Sequence, residues 1–248
     1  MKKTMFAAGL AVAASVGAAQ AATITIQDFG VRSNGNIQAI NTAFSAAVTP
    51  GGTVETFETG FTNGQTGPIN TAVGVFTTNP GAIGSGTTCT TLNGGTCPQI
   101  AVQNQAVTGE INNQGNIVPV GGTWSLNSAD TAGMIWNASL AGGGAFTKLV
   151  FALRDAADQG AIWTVMANGA QQSLQNQANG NLKLVTIDFG TERTSAEVRL
   201  MSSRANDAFT IDGAAIAPVP LPAAGLLLVG GLGALGALRA RKKAAAKA

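Results

Sequence analysis

The chain has 248 residues, no His, no Tyr, two Cys and 10% charged residues, against roughly a quarter charged in ordinary globular domains. Without imidazole there is no Ser-His-Asp or Cys-His catalysis, no His-ligated zinc and no histidine switch near neutral pH. The net charge of +2 averages two basic ends, Lys2 and Lys3 at one and Arg239, Arg241, Lys242, Lys243 and Lys247 at the other, with a middle of seven basic and twelve acidic residues, which argues against a nucleic-acid-binding domain.

The first element is residues 1–21. Two lysines precede an apolar run at 5–16, too short to span a bilayer, and Ala19-Gln20-Ala21 puts small residues at both ends of a signal-peptidase site. Removal of this signal peptide before Ala22 and export of the remainder are expected. Residues 22–217 form one exported domain, long enough to bury a single core.

Short apolar alternations separated by Gly, Asn, Thr and Ser clusters predict a mainly β fold, an antiparallel β-sandwich. Strands are expected at 23–26, 54–57, 73–77, 117–120, 134–137 and 162–166, and around Leu149/Phe151/Leu153, Val185/Ile187/Phe189 and Phe209/Ile211. The clearest is Ala196-Glu197-Val198-Arg199-Leu200, where apolar and charged residues alternate and so fix the register. One segment breaks the period. Ile37, Ile40, Phe44 and Ala47 or Val48 recur at helical steps, with Ser33, Asn34 or Asn36 to cap the start and Pro50-Gly51-Gly52 to end it; this predicts one short N-terminal amphipathic helix across an end or face of the sandwich, covering an edge.

Cys89 and Cys97 lie in a Thr/Gly-rich stretch. In the oxidising compartment that export implies, a disulfide is the expected state. Glu55 and Glu58, three apart in a strand, point to opposite faces and do not form a paired-carboxylate site. Asp155 and Asp158 fall in the turn between two strands and, with Asp130 from another loop, are candidate ligands for Ca2+; the alternative is a solvated turn in which Asp158 caps its own backbone. No other cofactor is expected. Asp207 and Asp212 flank the last strand and read as turn residues. Trp136 and Trp163 lie inside strand patterns and are assigned to the core, whereas Trp124, after Gly121-Gly122 at a loop edge, is the candidate for stacking on a ligand. The Gln- and Asn-rich stretches 99–116 and 171–181 read as polar hairpins or loops.

The C-terminal part, 218–248, is a second address. Pro218 precedes the motif Val219-Pro220-Leu221-Pro222-Ala223, whose prolines hold the chain extended. Residues 221–238 carry no charge; as a transmembrane helix they span about 27 Å, just enough for the hydrocarbon core. The basic tail 239–248, with Arg239, Arg241, Lys242 and Lys243, places the C-terminus in the cytoplasm and residues 22–217 outside. The order of motif, span and basic tail resembles the VPLPA-CTERM form of the PEP-CTERM sorting signals of Gram-negative bacteria. The resemblance implies recognition by an exosortase, a membrane-embedded Cys-dependent processing enzyme, cleavage near 218–223, and delivery to the cell surface or exopolysaccharide matrix. The expected partners are signal peptidase, an exosortase-type enzyme, the membrane and exopolysaccharide, with no nucleic acid.

The interior also resembles a recurring extracellular domain of PEP-CTERM proteins, through Glu55-Thr56-Phe57-Glu58, Leu126-Asn127-Ser128-Ala129-Asp130-Thr131, Phe151-Ala152-Leu153-Arg154-Asp155-Ala156-Ala157-Asp158 and Asp207-Ala208-Phe209-Thr210-Ile211-Asp212. That likeness implies a jelly-roll-like sandwich of unassigned activity and supplies no catalytic residue. Three functions remain open: a non-enzymatic structural, adhesive or glycan-binding surface protein; an extracellular carbohydrate-active hydrolase using carboxylates; and a permanently anchored single-pass surface protein.

Overall fold

The computed structural model describes residues 21–48, 51–79, 97–109, 113–204 and 207–218. The elements run β1 (Thr23–Val31), α1 (Asn34–Val48), β2 (Thr53–Glu55), β3 (Gln65–Thr66), β4 (Ile69–Thr71), β5 (Gly74–Thr78), β6 (Ala101–Asn104), α2 (Gln105–Thr108), β7 (Trp124–Asn127), β8 (Gly133–Ser139), β9 (Phe146–Arg154), β10 (Ile162–Ala167), β11 (Ala170–Gln175), β12 (Asn181–Arg193), β13 (Ser195–Ser202) and β14 (Thr210–Pro218). Residues 1–20 of the expected signal peptide, Cys89, and Val219 to Ala223 with the expected membrane span and basic tail lie outside the described residues. Among the described residues no helix is long and apolar enough to cross a membrane.

The strands form two antiparallel sheets, one ordered β1-β12-β9-β14-β7-β6-β3 with β2 added beside β14, the other β11-β10-β13-β8-β5-β4. Period-two alternation explains how they meet. Leu149, Phe151 and Leu153 of β9, Val185, Ile187 and Phe189 of β12 and Ile211 of β14 share one core with Trp136 of β8, Trp163 and Val165 of β10, and Val198 and Leu200 of β13. Phe76 stacks on Trp136 at 5.2 Å, and Trp136 meets Phe151 edge-on at 6.3 Å, as aromatic quadrupoles prefer. The Trp136 indole N–H donates to the Val73 carbonyl at 2.9 Å, so its one polar atom is satisfied inside the core.

β9 and β12 also bury their second face. Ile40, Phe44 and Val48 line one side of α1 and pack with Val150, Ala152, Leu182, Leu184 and Ala215 on the outer surface of the larger sheet. The expected helix therefore roofs a face. Ser33 starts it, its Oγ accepting from Asn36 N at 3.2 Å and its carbonyl from Ile37 N at 2.9 Å. Ser33→Ala is expected to cost about 1 kcal/mol, seen as a Tm drop of about 3 °C in a melt followed by tryptophan fluorescence.

Three sequence expectations need correction. Residues 117–120 are not a strand but an irregular segment through a cis Val118–Pro119 bond. The N–H groups of Ile117 and Val118 donate to the Asp212 carboxylate at 2.8 and 2.9 Å, so they are lost to any ladder, and the proline has no N–H to give. The strand expected at 54–57 stops at Glu55, because Phe57 turns into the left-handed region at φ 59° and its N–H donates to Glu55 Oε1 at 2.7 Å. The stretch 99–116 contains β6 and the single-turn α2, started by the Asn104 side chain accepting from Ala106 N at 2.9 Å.

The second polar stretch, 171–181, supplies β11, an edge of the six-stranded sheet. It joins β10 through Asn168-Gly169, with φ of 45° and 79°, the two-residue turn whose twist suits an antiparallel hairpin. A Cβ at Gly169 would touch nothing within 4 Å. Gly169→Ala is therefore expected to cost only its backbone strain, about 1 kcal/mol in a urea titration.

Candidate functional site

The acidic residues sort by what their oxygens accept. Glu58 Oε1 accepts from Thr123 N at 2.9 Å, Trp124 N at 3.1 Å and Asn116 Nδ2 at 3.2 Å. Asp212 Oδ2 accepts from Ile117 N, Val118 N and Asn116 Nδ2, and its Oδ1 from Gly213 N at 2.8 Å. The Asn116 amide thus ties Glu58 to Asp212. Gly213, at φ 58°, makes the bulge that shifts the register of β14, and a Cβ there would come within 2.8 Å of Val118. Burial pushes the Asp212 carboxyl well above the ordinary range, against the pull of the three backbone N–H donors. These two acids fasten the 113–123 segment to the larger sheet. Trp124, the candidate stacking ring, opens β7 half-buried and packs against the main core.

Asp130 holds the cysteine loop. Cys97 N donates to its Oδ2 at 3.2 Å, and Asp130 N donates back to the Cys97 carbonyl at 3.1 Å. Cys97 is buried and disulfide-bonded; Cys89, the other cysteine of the sequence, lies outside the described residues.

Asp155 and Asp158 occupy the loop after β9, and the carboxylate that joins them electrostatically is Asp207, just before β14. Antiparallel pairing puts Thr210 opposite Arg154, which carries the start of β14 to the mouth of that loop. Such a juxtaposition has no local sequence signal; it follows once β9 and β14 are known to be neighbours. Asp155 is buried, and its Oδ1 accepts from Gly180 N at 2.6 Å. Burial raises it to about 6, with the nearby Asp158 charge adding to the rise and Arg154 opposing it. Arg154, wholly buried, is lowered to about 9, first by burial and then by Arg32. Asp207 is 2% exposed. Its Oδ1 accepts from Gln159 N at 3.2 Å, and no N–H reaches its Oδ2. Burial, and then a hydrogen bond shared with the Asp158 carboxyl, raise Asp207 to about 7. Among the described residues no three His, Cys, Asp or Glu side chains converge tightly enough to hold a metal ion between them.

The six-stranded sheet presents a different surface. Pairing aligns Gln171, Met166, Arg199, Ile135 and Thr77 in one row across five strands, and Glu197, Asn137, Val75 and Asn70 in the next. These residues alternate with the buried set, so they face outward, and none of the described helices packs on them. Arg199 Nε lies 2.7 Å from Glu197 Oε1. A shallow cleft of about 200 Å³ between Met166, Asn168, Gly169, Gln171, Glu197 and Arg199 opens on this side. A neighbouring one of about 350 Å³ is lined by Phe189, Arg193, Ser195 and Glu197, with the Arg193 guanidinium 5.8 Å over the Phe189 ring.

No family model matches the chain, and no curated protein matches it. Among solved structures, the CBM22-1-GH10 modules of an endo-1,4-beta-D-xylanase from Clostridium thermocellum, complexed with xylohexaose, are similar over 49% of this chain and 25% of that one, at 12% identity and a TM-score of 0.28. This chain thus spans about a quarter of that structure. An adhesin domain of Lys-gingipain from Porphyromonas gingivalis is similar over 69% of this chain and the whole of that one, at 14% identity and a TM-score of 0.27. Overlaps of this size carry no argument about function.

Proposed function

We propose that the chain is an exported, non-enzymatic surface protein whose jelly-roll-like body binds matrix polysaccharide through the exposed face of the six-stranded sheet. On this reading it reaches the surface by signal-peptide removal and exosortase-type processing near 218–223. The observation that carries the binding role is the contrast between the two sheets: α1 and the 113–123 segment cover the larger one, while the smaller one carries rows of amide, hydroxyl and charged groups at its outer surface. Strand spacing sets these groups about 4.8 Å apart, a repeat on which successive sugar hydroxyls find donors and acceptors, while Met166, Ile135 and Val75 offer apolar contact to the ring CH groups. The address rests on the order of VPLPA motif, uncharged stretch and basic tail in the sequence.

The test uses the full chain purified in mild detergent and host exopolysaccharide in a sedimentation assay. The double variant Gln171→Ala/Arg199→Ala is expected to bind about tenfold more weakly, the loss of one or two charge-assisted hydrogen bonds, with Tm unchanged because both side chains are exposed. Equal binding by the variant rules out this face. Processing is checked separately by expressing the chain with and without the host exosortase; a full-length C-terminal mass in both backgrounds rules out cleavage.

A further inference from the structure

We infer that the cleft beside Arg193 takes the carboxylate of a uronic-acid unit, so that the polysaccharide held on the six-stranded sheet is an acidic one. The inference rests on the polysaccharide reading of this face and names its substrate class. A chain crossing puts the cation there. Arg193 ends β12 in the larger sheet and Ser195 opens β13 in the smaller one, so Thr194 alone carries the chain over the corner. Ser195, Glu197 and Arg199 then lie on one side of β13, with Val198 and Leu200 buried on the other. The cleft of about 350 Å³ at Arg193 and that of about 200 Å³ at Arg199 share Asn168 and Glu197 in their linings, and so adjoin, with a guanidinium in each.

The two guanidiniums differ in what they meet. Arg199 is spent on Glu197 at 2.7 Å, in a pair about half exposed, the kind that contributes little in water. Among the described residues Arg193 has no such acceptor. Its Nε is buried without a hydrogen-bond partner, and its guanidinium lies 5.8 Å over the Phe189 ring. Phe189 is itself 1% exposed, so the ring is no platform for a sugar; it holds the cation in place from beneath. A guanidinium fixed on an aromatic face and short of an acceptor is preorganised for a planar anion, and a carboxylate fits its fork with two parallel bonds. Ser195 stands in the same lining, a hydroxyl to bond the sugar hydroxyls beside that carboxylate. Between its two basic ends the chain carries seven basic and twelve acidic residues, so a polyanion is not gathered by net charge and is held by local contacts instead.

The experiment is titration calorimetry of the full chain in mild detergent with oligogalacturonate, with its methyl ester as the same backbone without charge, and with dextran sulfate. Oligogalacturonate is expected to bind about tenfold more tightly than the ester. Arg193→Gln should weaken oligogalacturonate about tenfold, the loss of a bidentate charged pair, and leave the ester's weaker binding unchanged. Arg193→Lys, a point charge without the fork, should recover only part of the difference. Glu197→Gln removes the opposing charge from the groove and should tighten oligogalacturonate about threefold, a gain that damage to the fold does not mimic. No binding of oligogalacturonate by the parent overturns the inference, as does equal binding of acid and ester or of Arg193→Gln and the parent. Tighter, Arg193-dependent binding of dextran sulfate than of oligogalacturonate overturns it too, since the ligand would then be a sulfate ester. The two readings fail separately. Host exopolysaccharide that is released by Gln171→Ala/Arg199→Ala but held by Arg193→Gln as by the parent leaves the face standing and removes its acidic ligand, whereas retention unchanged in the double variant removes the face itself.

Discussion

Replacing Asp212 by Ala is expected to lower the unfolding midpoint by about 10 °C, a loss of about 4 kcal/mol. The carboxylate is completely buried and accepts two backbone N–H groups of the 117–118 segment, the Asn116 amide and the Gly213 N–H. Deleting it strands these donors in the interior, where each unmet group costs about 1–3 kcal/mol before partial relaxation. The damage spreads through packing, because Ile117 and Val118 belong to the cluster that seats α1 on the larger sheet. Asp212→Asn keeps one acceptor oxygen but turns an NH2 toward donors, and about half the loss is expected. Thermal melts of the variants, with urea titration for the free energy, check both. An Asp212→Ala midpoint within about 2 °C of the parent would show that water takes over the carboxylate's role, and the account of this segment would be wrong.

The alternating strands were legible because one-sided burial writes itself at period two. Val198 and Leu200 are buried while Glu197 and Arg199 are exposed, as the sequence pattern predicts, and the helical steps from Ile37 to Val48 mark the face of α1 that lies on the sheet. The failure at 117–120 has a physical cause. Three apolar residues around Pro119 look like a strand, but their direction is set by a carboxylate 94 and 95 residues away, and no local pattern encodes such a partner. The acidic cluster shows the same limit. Asp155 and Asp158 announce themselves as loop acids, whereas Asp207 joins them only through the pairing of β14 with β9, and Asp130 is taken by Cys97. The polar tract at 171–175 held a signal that composition hides: Asn168-Gly169 before it is a hairpin turn, which makes the Gln-rich run an edge strand.

Stability should fall as pH rises from 4 to 8 in the presence of EDTA, the reverse of most acid-sensitive domains. Asp155 and Asp207 hold their protons to about 6 and about 7 in the folded chain, against 3.8 in the unfolded one. Between those values the folded state binds more protons than the unfolded state, so raising pH pulls the equilibrium toward unfolding. Their contribution is fully present below 3.8 and is lost as pH passes through about 6 and then about 7. Asp212, raised by burial, acts in the same direction. Asp28 works the other way: its hydrogen bond with Lys183, at 2.8 Å, and that from Gly30 hold it below 3.8, so its stabilisation is present above that pH and fades below it. The maximum should therefore lie near pH 4 to 5. A tenfold change in a carboxyl's proton affinity on folding corresponds to about 1.4 kcal/mol. Because neighbouring charges share the effect, the expected difference between pH 5 and pH 8 is on the order of 3 kcal/mol, read from urea midpoints at fixed ionic strength. Asp155→Asn should flatten the lower part of the slope while still accepting from Gly180 N, and Asp207→Asn the upper part. A stability that stays level or climbs from pH 5 to 8 in EDTA would mean that water reaches these carboxylates, and that burial is not what governs this corner of the sandwich.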